Sequence, residues 1–138
     1  MMLARYLVAV AALGGAAGCD ILPAYRHPAG LAAAKVNLAG SGQEWICTHG
    51  REHALQNDAA GYADIPAGAR LTVGGRYYGR GRTCMAATSF IPTAGQHYRF
   101  DLQRTAEHCV ATVYIEDPHA ITGLRQVEGA LPSPGCRF

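Results

Sequence analysis

The first 19 residues decide the environment in which the rest of this chain folds. Arg5 supplies a positive charge, residues 6–13 form a short apolar stretch, and residues 14–18 are all small. This order of charge, apolar core and small residues is typical of a secretory signal peptide. The apolar stretch is too short for a transmembrane helix, which needs about 20 apolar residues. We therefore expect residues 1–18 to be a cleaved signal peptide and the mature chain to fold outside the cytoplasm.

The signal peptide ends directly on a cysteine, in the sequence Ala16-Ala17-Gly18-Cys19. This sequence resembles the lipobox of bacterial lipoproteins, although Ala16 stands where that family usually has leucine. The resemblance implies that Cys19 is acylated and that the protein is anchored in the bacterial cell envelope, facing the periplasm. Two or three acyl chains give a lasting membrane anchor, because each buried methylene contributes about 0.8 kcal/mol. Asp20 resembles an inner-membrane retention signal of enteric bacteria, which favours the inner membrane without fixing the choice.

The remaining cysteines predict a disulfide framework. They are Cys47, Cys84, Cys109 and Cys136. An even number of cysteines in an exported domain predicts two disulfides, and four cysteines allow three pairings. A four-cysteine zinc site requires closely spaced pairs, whereas neighbouring cysteines in this set are at least 25 residues apart.

The segment after the cysteine anchor divides into a tether and a domain. Residues 19–34 contain two prolines and a glycine and are predicted to be the tether, whereas residues 35–138 are predicted to be one all-β domain. The clearest strand is His97–Arg104, in which Tyr98, Phe100 and Leu102 alternate with polar residues. Similar short segments, separated by Gly and Pro turns, predict an antiparallel β-sandwich.

Two segments of this domain are ambiguous at the level of sequence. Residues 74–82 contain four glycines and are predicted to be a loop or the end of a hairpin. Residues 49–58 are polar and fit either a loop or a short helix. Trp45 shares a predicted strand face with Cys47, and we expect it to be a core residue that packs on a disulfide, as in immunoglobulin domains.

The turn at residues 92–95 bears on how the cysteines pair. In Greek-key sandwiches such a turn often carries the chain from one sheet to the other, and Tyr98 just past it is similar to the tyrosine corner of immunoglobulin-like domains. If the strands on either side lie in opposite sheets, Cys84 and Cys109 sit at the same end of the sandwich and can bridge its layers. Cys47 then pairs with Cys136 by elimination and staples the tail to the domain.

Residues 65–116 resemble a type of small bacterial envelope lipoprotein. The shared elements are Ile65-Pro66-Ala67-Gly68 before a strand, Cys84 at the start of a strand, the F-x-P-x-x-G-x-x-Y run from Phe90 to Tyr98, and Cys109 before a hydrophobic strand. The resemblance covers under half of the chain. It implies an immunoglobulin-like or transthyretin-like sandwich and implies no activity.

One motif raises the possibility of metal chemistry. Residues 49–53 spell H-x-x-E-H, the signature of inverzincin metalloproteases. On a helix, His49 and His53 would share a face and bind zinc, with Glu52 as the general base. Gly50 within the motif and the nearby Cys47 favour instead a polar loop between strands. We therefore predict no enzyme activity, no cofactor and no metal site, with His49 and His53 as weak candidate ligands.

A second motif favours an interaction surface. The candidate interaction residues are Arg76, Tyr77, Tyr78, Arg80 and Arg82. Arginine and tyrosine are typical anchors of protein interfaces, and arginines also bind anionic groups. Because twelve Lys and Arg residues are balanced by ten Asp and Glu residues, we expect no nucleic-acid partner.

These observations predict a non-enzymatic, membrane-anchored envelope lipoprotein whose β-sandwich binds an envelope protein. An accessory subunit of an envelope or secretion assembly is the first interpretation, and a periplasmic inhibitor or immunity protein is the second. Binding of anionic glycans through residues 76–82 and zinc hydrolysis through residues 49–53 are the remaining alternatives.

Overall fold

A computed structural model describes residues 21–38 and 42–136 of the chain. Ten strands form the fold: β1 (Ala33–Leu38), β2 (Gln43–Thr48), β3 (Arg51–Ala54), β4 (Tyr62–Pro66), β5 (Leu71–Gly79), β6 (Arg82–Phe90), β7 (His97–Arg104), β8 (Cys109–Glu116), β9 (Leu124–Gln126) and β10 (Leu131–Ser133). Within these two ranges no helix has the length and apolarity that a membrane crossing requires.

The strands form two five-stranded sheets, so the predicted β-sandwich is confirmed. Sheet A has the order β10-β6-β5-β2-β3, and sheet B has the order β4-β1-β7-β8-β9. Every neighbouring pair is antiparallel except β1 and β7, which run parallel. The expected antiparallel pattern is therefore wrong at this one pair. Parallel neighbours require a long crossover, and the chain passes through sheet A between β1 and β7.

The hydrophobic core lies between the two sheets. Both sheets contribute alternate residues to it, because side chains along a strand point to opposite faces. Val36, Ile46, Ile65, Val73 and Phe90 are fully buried there. Tyr98 and Phe100, which the sequence predicts as inward residues of β7, are also buried, and Leu102 packs partly buried against them.

The turn between β6 and β7 carries the chain from sheet A to sheet B, as the sequence predicts. The hydroxyl of Tyr98 accepts a hydrogen bond from the backbone N–H of Thr93 in this turn, at 2.9 Å. A tyrosine hydroxyl bonded to backbone a few residues upstream is the defining contact of a tyrosine corner. The ring of Tyr98 packs against Phe90 with centroids 5.1 Å apart, which fixes the corner to the core.

Both predicted disulfides are present. Cys84 on β6 bonds to Cys109 on β8, with their Cα atoms 5.5 Å apart, and so joins sheet A to sheet B. Cys47 on β2 bonds to Cys136 in the tail after β10, with Cα atoms 5.4 Å apart. The second bond holds the tail across the outer face of sheet A.

Trp45 is buried and packs on a disulfide, as predicted, but it does not lie between the two sheets as it does in immunoglobulin domains. It lies on the opposite face of β2 from Ile46, in a separate cluster with Ala87 and Cys136. The disulfide-held tail covers this cluster, and Leu22 from the N-terminal segment packs against it. Trp45 therefore does pack on a disulfide, but on the outer face of sheet A.

The glycine-rich segment is also mostly strand, because Gly74 and Gly75 lie within β5. Gly74 is the cross-strand partner of Trp45, and a β-carbon at this position would overlap the indole ring. The adjacent Gly75 faces Phe100 in the core. The prediction of a loop at these positions is wrong because the glycines here make room for aromatic rings.

Part of the predicted tether pairs with the domain. The backbone N–H of Tyr25 donates to the carbonyl of Ala54 at 2.8 Å, and the N–H of Ala54 donates to the carbonyl of Pro23 at 2.8 Å. These bonds add the N-terminal segment to the edge of β3 in a parallel bridge. The chain is thus attached to sheet A from about three residues after the predicted lipid site at Cys19.

Candidate functional site

The predicted interaction motif forms the hairpin that joins β5 to β6. Gly79 and Arg82 pair, so the loop contains two residues, Arg80 and Gly81. Both have positive φ angles, 49° and 71°, which fits a type I′ turn. The prediction of a hairpin end is confirmed at this turn, and the arms of the hairpin are strand rather than loop.

The hairpin separates the five predicted residues. Arg76 and Tyr78 lie on the outer face of sheet A, where Tyr78 is 65% exposed. Tyr77 points to the other side, with the guanidinium of Arg104 over its ring at 5.9 Å from the centroid. Arg80 and Arg82 are exposed at the turn.

Arg76 is positioned by neighbours on both sides. Its Nη2 atom lies 3.5 Å from Oε2 of Glu52 on β3 and 3.4 Å from Sδ of Met85 on β6. Met85 is the cross-strand partner of Arg76 and is 54% exposed. Met85 and the half-buried Arg76 thus lie side by side on the outer face of sheet A.

Two adjoining cavities run along β6. The first has a volume of about 650 Å³ and is lined by Trp45, Arg76, Met85, Val110 and the tail at residues 132–136, among others. The second has a volume of about 340 Å³ and lies at the hairpin end, between residues 82–84 and 104–109. Cys109 lines both cavities. We call the pair the β6 groove.

The β6 groove is open on the side of β6 that faces away from β5. β10 pairs with β6 at residues 87–89 and goes no further toward the hairpin. In the described part of the chain, no strand pairs with this side of residues 82–86. The groove therefore combines an unpaired strand edge with exposed apolar and cationic side chains.

The H-x-x-E-H motif lies on a different hairpin, between β2 and β3. His49 and Gly50 form its two-residue turn, with φ angles of 52° and 72°, and Glu52 and His53 lie in β3. The alternative of a short helix at residues 49–58 is therefore wrong at this motif. Gly50 allows the I′ turn, and adjacent strand residues such as Glu52 and His53 point to opposite faces.

The ring nitrogen Nδ1 of His53 lies 2.8 Å from the Thr48 hydroxyl, a contact within the hairpin. Among residues 21–38 and 42–136, no group of three or more His, Cys, Asp or Glu side chains is arranged to hold a metal ion. The helical geometry on which the zinc interpretation depends is not the geometry of this segment.

One polar cluster has no signal in the sequence. On the outer face of sheet B, the hydroxyl of Tyr62 donates to Oε2 of Glu116 at 2.6 Å, and Nδ1 of His97 lies 3.9 Å from the same oxygen. The hydrogen bond to Glu116 is the main cause that raises the pKa of Tyr62. These residues come from β4, β8 and β7, so only the strand order of sheet B brings them together.

The predicted lipid site, Cys19, lies outside the described residues. The described fold and site define a disulfide-stapled β-sandwich with an open strand edge and a hairpin rich in arginine and tyrosine. Comparison with protein-family models, with curated proteins and with solved structures finds no significant match.

Proposed function

We propose that this protein is a bacterial envelope lipoprotein whose β-sandwich acts as a non-enzymatic protein-interaction module. The observation that supports this function best is the set of exposed large side chains around the β6 groove. Met85 and Val110, which line the groove, are 54% and 47% exposed, and Tyr78, the cross-strand partner of Thr83 at its hairpin end, is 65% exposed. They lie at the end of the sandwich that also carries Arg80 and Arg82.

This composition favours a protein partner over a small molecule. Interface centres are enriched in Tyr, Met and Arg, and the residues that contribute most to binding are commonly Tyr and Arg. The β6 groove is long and open, whereas small-molecule sites enclose most of their ligand. Arg76 adds a cation whose position is already held by Glu52 and Met85.

The proposed lipid anchor supports the same function. Acyl chains on Cys19 would hold the domain at the membrane, and a tethered domain meets a membrane-bound partner at a high effective concentration. The segment that follows Cys19 packs on sheet A from Leu22 onward, next to Trp45. A short connection of this kind keeps the domain close to the envelope proteins around it.

The test is affinity purification of the full-length acylated protein from detergent-solubilised envelopes, followed by mass spectrometry. We expect a stoichiometric envelope protein that is lost with Tyr78→Asp and is absent with Cys19→Ala. Ile121→Asp is the matched control, because Ile121 is fully exposed on a loop of sheet B. A wild-type preparation without a stoichiometric partner would contradict the proposal. So would a Tyr78→Asp variant that retains the partner found with wild type.

The partner's identity separates two forms of this function. A subunit of an envelope or secretion complex would make the protein an accessory subunit. A toxin or hydrolase whose activity falls on binding would make it an inhibitor or immunity protein.

Anionic glycan binding is a further candidate function, because Arg80 and Arg82 are both exposed at the turn. It requires affinity for a sulfated glycan that falls with salt and in an Arg80→Ala, Arg82→Ala double variant.

A further inference from the structure

We infer that the open edge of β6 binds an extended acidic segment of the partner protein by β-strand addition. This inference rests on the proposed function, because it names the surface and the kind of segment that the interaction module takes. It is carried by three features of the β6 groove: its unpaired backbone, its length and its charge.

The unpaired backbone follows from the register of the hairpin. In a two-residue hairpin the pair that flanks the loop, here Gly79 and Arg82, is hydrogen-bonded. Alternation along the strand then directs the backbone groups of Arg82, Cys84 and Ala86 toward β5. The N–H and C=O groups of Thr83 and Met85 point away from β5, toward the side on which no described strand pairs with these residues.

The end of β10 explains why this edge is open. β10 occupies the same side of β6 at Ala87–Ser89, and the tail then turns across the outer face of sheet A to reach Cys47. The disulfide between Cys47 and Cys136 thus draws the tail away from Thr83 and Met85. An added strand would continue the line of β10 toward the hairpin.

The β6 groove is long enough for a bound segment. Residues 82–87 of β6 span roughly 20 Å at about 3.4 Å per residue, which is the length of an ordinary strand. The two cavities of about 650 and 340 Å³ cover this span and meet at Cys109. Val110 and Pro134 supply apolar walls for alternate side chains of the segment.

The charge of the β6 groove selects an acidic segment. Arg76 and Arg82 line its two cavities, and Arg104 lines the cavity at the hairpin end. Glu52 and Glu107 are the acidic residues in the same linings, and Glu52 is already paired with Arg76. Arg80 at the turn adds a further cation. Acidic side chains on the segment would complement this excess of arginine.

The test uses a fluorescein-labelled octapeptide of alternating Val and Glu as the probe, with fluorescence anisotropy as the readout. Wild type should bind this peptide at least about tenfold more tightly than the same peptide with Lys in place of Glu. Met85→Pro removes an outward N–H and should weaken binding about tenfold, since one lost hydrogen bond is worth about that factor. Met85→Val keeps the N–H and is the matched control, with affinity expected within about threefold of wild type.

A second measurement covers the case in which Met85→Pro fails to fold. Octapeptides with N-methyl groups on alternate amides present one blocked and one free edge. Methylation of the edge that faces β6 should abolish binding, while methylation of the other edge should leave it intact. Equal affinity for the Glu and Lys peptides, equal affinity of wild type and folded Met85→Pro, or indifference to methylation would overturn the inference.

The outcomes also separate this inference from the proposed function. If a partner co-purified from envelopes binds Met85→Pro as tightly as wild type, the edge inference fails and the interaction function stands. If no partner is found but the acidic peptide binds at the edge, the proposed function fails instead. A wild-type homodimer in light scattering that Met85→Pro converts to monomer would show that a second copy occupies the edge, which overturns the inference as stated.

Discussion

At the scale of single residues, Gly74 is tightly constrained by the space that its neighbours leave. Its missing side chain gives room to the indole of Trp45 on the neighbouring strand. We predict that Gly74→Ala lowers the free energy of unfolding by about 3 kcal/mol, because overpacking of a filled site typically costs about 1–3 kcal/mol and the obstacle here is a buried ring. Urea unfolding followed by circular dichroism measures this change.

Gly75→Ala is the control for a glycine in the same strand. A β-carbon at Gly75 would lie 3.0 Å from Cε1 of Phe100, so a small shift of the ring accommodates it. The expected loss is about 1 kcal/mol. If the two variants lose equal stability, the overlap with the Trp45 ring does not set the loss at position 74, and the prediction fails.

Glu44 gives a residue-scale prediction for pH. It is buried at the start of β2, and burial raises the pKa of its carboxyl, while the backbone N–H groups of Glu44 and Gly42 act in the opposite direction. The folded protein therefore holds this proton more tightly than the unfolded chain. Stability is lost as pH rises from the unfolded pKa, near 4.3, through the folded pKa.

Glu44→Gln removes this loss, so we predict that the variant is more stable than wild type at pH 7 and that the difference disappears below about pH 4. Urea midpoints measured from pH 3 to pH 8 test the trend. Glu107→Gln is the control, because Glu107 is exposed in the β7–β8 turn. A Glu44→Gln variant that is less stable at pH 7 would mean that the backbone hydrogen bonds to the carboxylate outweigh its burial.

At the scale of elements, alternation of apolar and polar residues predicts a strand well where one face of the strand is buried and the other is exposed. β7 has this pattern, and its predicted boundaries, His97–Arg104, agree with the structure, as does the hydrophobic strand predicted after Cys109, which is β8. β3 is an edge strand with half-buried or exposed residues, so the sequence shows no alternation there. The sequence does not predict a strand at the glycines of β5, because the aromatic rings that they make room for, Trp45 and Phe100, are distant in sequence.

The two disulfides give an element-scale prediction, because they restrain different parts of the fold. Cys47 and Cys136 are 89 residues apart, and Cys84 and Cys109 are 25 apart. In the chain-entropy model these loops correspond to about 4–5 and about 3–4 kcal/mol of stability. We predict losses of that order in the paired Cys→Ala variants, measured by urea unfolding.

The folded variants should also differ in local structure. Replacing Cys47 and Cys136 with alanine releases the tail that covers Trp45, so tryptophan fluorescence shifts to the red and acrylamide quenching rises before unfolding. Replacing Cys84 and Cys109 should leave native fluorescence unchanged, since Trp45 packs in the cluster of the other bond. A red shift in both variants would mean that the tail is held by the whole sandwich rather than by its disulfide.

At the scale of the whole molecule, the candidate site at the β6 groove is less predictable from the sequence than the fold is. The sequence predicts the arginine and tyrosine motif as a candidate interaction site because its residues are adjacent in the chain. The β6 groove depends on β10 ending opposite Ala87 and on Val110 from the other sheet, and neither relationship leaves a local pattern. The Tyr62 and Glu116 pair likewise joins residues 54 positions apart.

The path of the chain predicts how the whole domain unfolds. The chain enters sheet B at β1, moves to sheet A at β2, returns at β4, and crosses again before β5, β7 and β10. Neither sheet is therefore a continuous stretch that could fold alone. We predict a single two-state transition in which Trp45 fluorescence and far-ultraviolet circular dichroism have the same urea midpoint. Refolding should take milliseconds to seconds, because the pairing of β1 with β7 closes a long loop.

Trp45 fluorescence is a stringent test of the two-state prediction, because Trp45 lies outside the inter-sheet core and reports on the outer cluster. Coincident midpoints would mean that the outer cluster is part of the same cooperative unit as the core. An earlier fluorescence transition in the disulfide-intact protein would mean that the tail and the N-terminal segment detach first. In the variant without Cys47 and Cys136 we expect the red-shifted fluorescence already without urea, since its tail is restrained by β10 alone. Comparing the two proteins thus assigns the cooperativity of the outer cluster to one covalent bond.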